Sequence, residues 1–390
     1  MRYLTRYVLQ DLRKKMVFIG GPRQVGKTTL ARSILRTHFS SGRYFNWDLD
    51  EHRMDLLKKR WKSDDKLLVF DEIHKFPRWK QWVKGIYDVR GDQHTILITG
   101  SARLDVYRKG GDSLMGRYHY WRLHPFTLDE LPDSITPEEG LDRLMALGGF
   151  PEPFLGGDEK EARRWRRERF DRVIREDIRD LEGIRDLQTL GLLLDLLRER
   201  VGSTIVISNI ADDLQVAHKT VKSWLHALER MYLIFIVRPF VRSSPRSVLK
   251  PPKIYFFDNG DVVGDKGAHF ENLVASSLLK RLHFLEDSQG DRYELHYIRD
   301  KEGREVDFAV IRDGELEELI EAKYSDENIS RGLSHYTRKL RPKRASQIVT
   351  TVKESYDVEN IRVLNPLEYF HQPPWTNGSP SATPAFFLDN

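Results

Sequence analysis

The segment Gly21-Pro22-Arg23-Gln24-Val25-Gly26-Lys27-Thr28 constrains this chain more than any other feature. Before it runs Lys15 to Gly20, a short apolar stretch ending in glycine. After it, Thr28 to Leu35 carries apolar residues at helical spacing. A short, unbroken apolar run predicts a strand buried on both faces, as in a parallel sheet. Strand, G-x-x-x-x-G-K-T and helix together form a loop that cradles phosphate. Backbone N–H groups of Gly26 to Thr28 would face the phosphates at a helix N-terminus. Lys27 would reach the β and γ phosphates, and the Thr28 hydroxyl would take magnesium. The expected contact set is Gly21, Gln24, Val25, Gly26, Lys27, Thr28 and Thr29, and the expected ligands are ATP and Mg2+.

Two further strands fit that site. Lys66 to Glu72 is an apolar run ending in two acids. Asp71 is expected in the magnesium shell, and Glu72 is expected to orient and deprotonate the attacking water. Thr95 to Ser101 is a third strand with a polar end, where either Thr99 or Ser101 would sense the γ-phosphate. Arg117, in Leu114-Met115-Gly116-Arg117, is either an arginine finger that stabilises charge on the phosphoryl oxygens or a surface or interdomain arginine.

Several segments, in order, resemble one family. They are Gly-Pro-Arg-Gln-Val-Gly-Lys-Thr-Thr, Val-Phe-Asp-Glu-Ile-His, Ile-Thr-Gly-Ser, Met-Gly-Arg and Leu-His-Pro-Phe-Thr-Leu-Asp-Glu-Leu. The chain resembles prokaryotic AAA-type (AAA+) ATPases with a C-terminal PD-(D/E)XK nuclease-like domain, as far as about Phe370. The resemblance implies an architecture more than a cellular role. Because the arginine finger acts between subunits in many AAA-type proteins, it also implies a homo-oligomer.

Composition narrows the alternatives. The 390 residues contain no cysteine, which removes disulfides, thiolate zinc sites and a cysteine nucleophile. No run of eighteen apolar residues occurs, so no membrane-spanning helix is expected. The first residues, Met1 to Leu12, lack the apolar core of a signal peptide, and a cytoplasmic location is expected. A net charge of +5 permits a nucleic-acid partner without requiring one.

From Glu138 to Arg200 the pattern is helical, with Leu187, Leu190, Leu194 and Leu197 in one stripe, and Gly148-Gly-Phe-Pro-Glu-Pro153 interrupts it. This region is expected to lid the nucleotide. Arg163, Arg164, Arg166, Arg167 and Arg169, interleaved with acids, read as a solvated helix face. Ser208 to Met231 reads as helix-turn-helix, its first helix capped by Ser208 or Asn209. Strand-like runs at Leu233 to Val237 and Lys253 to Phe257 would complete a winged helix. Lys219, Lys222, Arg242, Arg246 and Lys250 would then hold DNA phosphates. The other reading is an interdomain module.

Gly267 to His283 reads as a helix carrying Glu271 near its start. Asp307, Glu321 and Lys323 follow at D-x13-E-x-K spacing, the signature of the PD-(D/E)XK superfamily. A three-residue hairpin loop centred on Gly314 would set Asp307 opposite Glu321; a two-residue loop would send them to opposite faces. Glu321 and Lys323, two apart, share a face. Asp307 and Glu321 would bind Mg2+ or Mn2+, Lys323 would orient or activate water, and Glu271 would be a further ligand.

The expected fold class is α/β. A P-loop NTPase (AAA+-type) parallel sheet spans 1–135, a helical lid 136–200, a winged-helix-like domain 201–257 and an α/β restriction-endonuclease-like domain 258–371. A Pro-, Ser-, Gly- and Thr-rich tail, 372–390, is expected to be disordered. The expected function is ATP-driven processing of DNA with metal-dependent phosphodiester cleavage. RNA is an alternative substrate. The competing classes are a nucleotide-dependent switch whose nuclease-like domain only binds, and a protein-remodelling ATPase.

Overall fold

The computed structural model describes residues 2–90, 93–100, 114–178, 184–241 and 250–371. Ser101, Arg242, Arg246 and the expected tail lie outside them.

Five apolar runs form the first sheet: β1 (Met16–Gly20), β2 (Gly42–Asn46), β3 (Leu67–Asp71), β4 (Thr95–Thr99) and β5 (Tyr118–Arg122). All pairings are parallel, in the order β2-β3-β4-β1-β5. Every residue of β1 and β3 is buried, because helices cover both faces. On one face Val17, Ile19, Val69 and Leu97 pack with helices α1 (Thr5–Leu12) and α2 (Lys27–His38). On the other, Phe18, Phe70, Ile96 and Ile98 meet Leu56 of α3 (Asp50–Leu57) and the Trp79, Val83 and Ile86 stripe of α4 (Trp79–Arg90). Strand β4 thus lies between the strand that leads into the phosphate loop and the strand that ends in Asp71. The register puts Asp71 beside Thr99. These carboxyl ends, with the loop after β1, form the crevice where open α/β sheets bind ligands.

Four helices follow: α5 (Pro137–Leu147), α6 (Pro151–Gly156), α7 (Glu159–Arg172) and, after a π-helical turn over Val173–Ile178, α8 (Leu187–Arg198). The solvated reading holds for Arg163 and Arg164, which pair with Glu159 and Glu161 one turn back. It fails for Arg166 and Arg169. Arg166 reaches the carbonyl of Leu147 and the carboxylate of Asp258, and Arg169 is buried against the rings of Phe150 and Trp165. The helical period carries every third or fourth position inward, whatever its charge.

Helices α9 (Ile207–Asp213) and α10 (His218–Arg230) form the helix-turn-helix, with Gln215 at φ 55° in the turn. The residue preceding α9 is Val206, and no side chain caps it, so the expected Ser208 or Asn209 cap is replaced by an earlier start. Val221, Trp224, Leu225 and Leu228 are buried on α10; Lys219, Lys222 and His226 are exposed. Strands β6 (Ile234–Pro239) and β7 (Lys253–Phe256) pair antiparallel.

The hairpin does not end the unit. Arg238 and Pro239 of β6 pair in parallel with His296 and Tyr297 of β8 (Tyr293–Arg299). The β6–β7 pair is therefore the edge of a larger sheet. That sheet includes β9 (Glu305–Arg312), β10 (Glu315–Lys323), β11 (Arg344–Val349), β12 (Tyr356–Val358) and β13 (Ile361–Leu364), in the order β12-β13-β11-β10-β9-β8-β6-β7. Helix α11 (Lys266–Gln289) precedes the antiparallel β8-β9-β10 meander, α12 (Arg331–Leu340) crosses to β11, which lies parallel to β10, and α13 (Pro366–His371) closes the chain. Helix α11 runs six residues past His283 before Gly290, at φ 84°, stops it. Residues from Leu128 to Phe370 share one hydrophobic core, so the expected border at residue 257 falls inside a continuous sheet and core.

Candidate functional site

The loop after β1 wraps its own lysine. Lys27 Nζ donates to the carbonyls of Gly21 and Pro22, at 3.0 and 2.5 Å. Gly26, at φ 97°, sits immediately before α2, so the helix starts on the loop's open amides. Thr28 Oγ1 donates to Asp71 Oδ2 at 2.7 Å. Thr99 Oγ1 donates to Asp71 Oδ1 at 2.6 Å, and the Tyr44 hydroxyl to Oδ2 at 2.6 Å. A buried carboxylate held by three hydroxyls, one from the phosphate loop, fits a magnesium shell by its donor chemistry.

Glu72 follows with φ 56°, and its amide donates to the Thr99 carbonyl at 2.9 Å. That left-handed backbone turns its carboxylate away from the strand direction. Lys75 Nζ lies 3.6 Å from it. Burial raises the Glu72 carboxyl above its ordinary value, and Lys27 and Lys75 hold part of that rise back. A carboxyl tuned upward is suited to accept a proton near neutral pH.

Arg2 links this loop to the rest of the molecule, and nothing in the sequence pattern marks it. Its guanidinium donates to the Val25 carbonyl (2.8 Å), the His124 carbonyl (2.5 Å) and Glu130 (2.5 Å). Lys280 Nζ of α11 meets the same Glu130 carboxylate at 2.6 Å and is buried. Further along α11, Asp287 and Glu286 grip Arg122 of β5 at 2.7 and 2.5 Å. Pro151, in the Gly-Gly-Phe-Pro interruption, lies against Gly26, where an added side chain would meet both Arg2 and the proline ring. Arg117 lies at the opposite end of the sheet. Its carbonyl accepts from Met16, which opens β1, and its guanidinium pairs with exposed Asp88 at 2.7 Å.

The acidic site lies in the second sheet. The hairpin loop between β9 and β10 has two residues, Asp313 and Gly314, at φ 49° and 89°. The three-residue loop expected from the spacing is therefore corrected. Two left-handed central residues give the turn whose twist matches paired strands. The extra residue sits in a bulge between Leu316 and Glu318, after which Glu318 faces Val310 and Ile320 faces Phe308. One step beyond that last pair stand Asp307 and Glu321. The strands part there, and the side chains take over the ladder: Ala322 N donates to Asp307 Oδ2 (3.0 Å) and Asp307 N to Glu321 Oε2 (3.4 Å). Lys323 Nζ lies 2.9 Å from Glu321 Oε1. Burial first, and Glu321 second, push the Asp307 carboxyl above its ordinary value.

Glu271 turns elsewhere. Its Oε1 accepts from the Tyr255 hydroxyl at 2.7 Å and lies 3.3 Å from Lys253 Nζ. Lys253 also meets Glu305 Oε1 at 2.6 Å and Asp307 Oδ1 at 3.7 Å. Among the described residues no three acids or histidines converge as a metal-binding group. Two carboxylates, Asp307 and Glu321, remain to offer oxygen to a divalent cation, and Mg2+ sites commonly use one or two. Lys253, Tyr255 and Glu305 escaped the sequence reading. A lysine opening an apolar strand after Pro251-Pro252, and an acid two residues before Asp307, were the available signals.

Comparison with known proteins divides the chain in three. Residues 13–132 match the model of an AAA domain family. Residues 138–263 and 266–370 match two domains of unknown function, DUF8612 and DUF4143. The uncharacterized protein MJ1544 of Methanocaldococcus jannaschii is 26% identical over 301 residues, covering 68% of this chain and 67% of that protein. The uncharacterized protein Rv2008c of Mycobacterium tuberculosis is 25% identical over 249 residues, covering 64% of this chain and 55% of its own length. The chain thus spans about half the length of the mycobacterial relative. Among solved structures, a variant of Thermotoga maritima RuvB aligns with 64% of this chain and 90% of its own, at 16% identity and a TM-score of 0.33. The N-terminal unit is an AAA-type P-loop ATPase domain, by its strand order, its loop and its matched family. No helix among the described residues is long and apolar enough to cross a membrane.

Proposed function

We propose that ATP turnover in the N-terminal unit drives the processing of nucleic acid, most simply DNA, and that the C-terminal unit cleaves its phosphodiester bonds. The observation that carries this reading is the bulge that sets Asp307 and Glu321 side by side with Lys323 at 2.9 Å. In the ATPase site, Lys27 and the loop amides would hold the phosphates, Thr28 and Asp71 would hold Mg2+, and Glu72 would take a proton from water. When bound, Mg2+ would supply charge compensation for the phosphoryl oxygens. In the C-terminal site, Asp307 and Glu321 would hold Mg2+ or Mn2+, which polarises the scissile phosphate, and Lys323 orients water. The α11 helix supports coupling of the two, since Lys280 and Asp287 grip the ATPase unit while the same helix carries Glu271.

Exposed Lys219, Lys222 and Lys250 supply phosphate contacts, joined by Arg242 and Arg246. Arg117, at the far end of its own sheet from the loop, would serve as finger for a neighbouring copy in a homo-oligomer, and Thr99 or Ser101 as sensor. The cytoplasm is the expected location.

A second reading has its own support. With Glu271 committed to Lys253 and Tyr255, the C-terminal unit would grip a partner without cutting, and ATP would act as a switch. The test is cleavage of labelled single-stranded, duplex and branched DNA with Mg2+ or Mn2+, with and without ATP, beside Asp307→Ala. Cleavage lost in the variant supports the enzyme. No cleavage with ATPase activity intact supports the switch, and ATP hydrolysis indifferent to DNA and RNA alike turns attention to protein substrates.

A further inference from the structure

We infer that Lys253 is a built-in cation that fills one corner of the acidic site, so that the site takes a single divalent ion, on Asp307 and Glu321. This deepens the proposed nuclease reading and rests on it. Lys253 is 1% exposed, and its ammonium meets three carboxylates: Glu305 at 2.6 Å, Glu271 at 3.3 Å and Asp307 at 3.7 Å. An ammonium among three acids puts a positive charge where a second cation would otherwise have to sit.

The corner is also crowded on one side. Gly202, at φ 72°, passes so near Glu271 that a Cβ there would lie 2.7 Å from Oε2. The chain just after it is fastened at the start of β7, through the Thr204–Lys253 bridge and the Ile205 amide on the Pro252 carbonyl. Tyr255 occupies Oε1 from the same strand. The β7 strand therefore supplies both the cation and the hydroxyl that occupy Glu271 Oε1.

Charge gives the same answer. With all ionised, Glu271, Glu305, Asp307 and Glu321 stand against Lys253, Lys323 and Arg299, which pairs with Glu305 at 3.0 Å. Four negative and three positive groups leave one negative charge. One divalent ion and one phosphodiester bring that to zero. A second divalent ion would leave two uncompensated positive charges beside buried Lys253, which is costly.

The test is Mn2+ titration of the nucleotide-free full chain, read by electron paramagnetic resonance. Wild type is expected to bind one ion per chain. Asp307→Asn should weaken it at least about tenfold, while Glu271→Gln should change it less than about threefold. Lys253→Met should admit a second ion, and adding Glu271→Gln should remove that ion again. Should Lys253→Met fail to fold, the Glu271→Gln comparison decides alone. Two ions in wild type, or a Glu271→Gln loss as large as that of Asp307→Asn, would overturn the inference while leaving the nuclease reading standing. No Asp307-dependent ion in wild type would overturn that reading and this inference together.

Discussion

Asp71 gathers Thr28, Thr99 and Tyr44 through three short hydrogen bonds, and this small cluster sets expectations for single substitutions. Lys27→Ala removes the loop's charged donor, and ATP affinity should fall at least about tenfold in a calorimetric titration. Glu72→Gln should still bind ATP but lower kcat by about 10² to 10⁴. Because burial raises the Glu72 carboxyl, the acidic limb of wild-type kcat should lie above the ordinary carboxylate value. The rate falls as pH drops and the base is protonated, and the residual rate of Glu72→Gln should lack that limb. A Glu72→Gln enzyme that keeps both its rate and its limb would remove Glu72 from the reaction. If Arg117 completes a neighbour's site, Arg117→Ala should lower the ATPase rate by about 10³ or more; a wild-type rate would leave it a surface partner of Asp88.

Among the elements, α11 and the β9-β10 hairpin do the positioning. Lys280 is buried and paired with Glu130, so Lys280→Met leaves Arg2 and the Tyr3 amide as that carboxylate's remaining partners and should cost about 3–5 kcal/mol in urea unfolding. The sign with pH follows from Glu130. Burial raises its carboxyl, but Arg2 and Lys280 outweigh that and hold it below 4.5. Its contribution is therefore complete above 4.5 and lost as pH falls through the depressed folded value. Without Lys280 the loss should begin at higher pH, visible as earlier acid unfolding. A variant with wild-type stability and acid midpoint would show that the helix is held by other contacts. The sequence made much of this scale legible: the strand-loop-helix of the nucleotide site, the helix-turn-helix and the residues of the acidic pair. The hairpin shows where legibility stopped. Asp313-Gly314 signals a two-residue turn, yet the D-x13-E spacing demands one residue more, and a local pattern does not say whether loop or strand absorbs it. Lys253 and Arg2 were hidden for a different reason, because their partners lie distant in sequence and only packing unites them.

For the whole molecule, the core running from Leu128 to Phe370 predicts one cooperative unfolding event for everything after the ATPase sheet. Calorimetry should show no separate transition for residues 138–263 and 266–370, and two resolved transitions would contradict the shared core. A chain ended at residue 263 strips β8 from β6 and removes α11, leaving an open strand edge and an uncovered apolar face. It should aggregate, as judged by size-exclusion chromatography.

The β6–β8 pairing also bears on inheritance. Two segments that share hydrogen bonds across one sheet cannot be exchanged between relatives one at a time without mismatching a seam of side chains. Recombination should therefore pass residues 138–263 and 266–370 on as a single cassette, with the ATPase sheet meeting the cassette at Arg122 and Glu130 and through Phe150, Trp165 and Phe284, which pack into the sheet's core. A chimera that swaps both together needs to reconcile that one interface, whereas one joined near residue 264 must reconcile an entire interior.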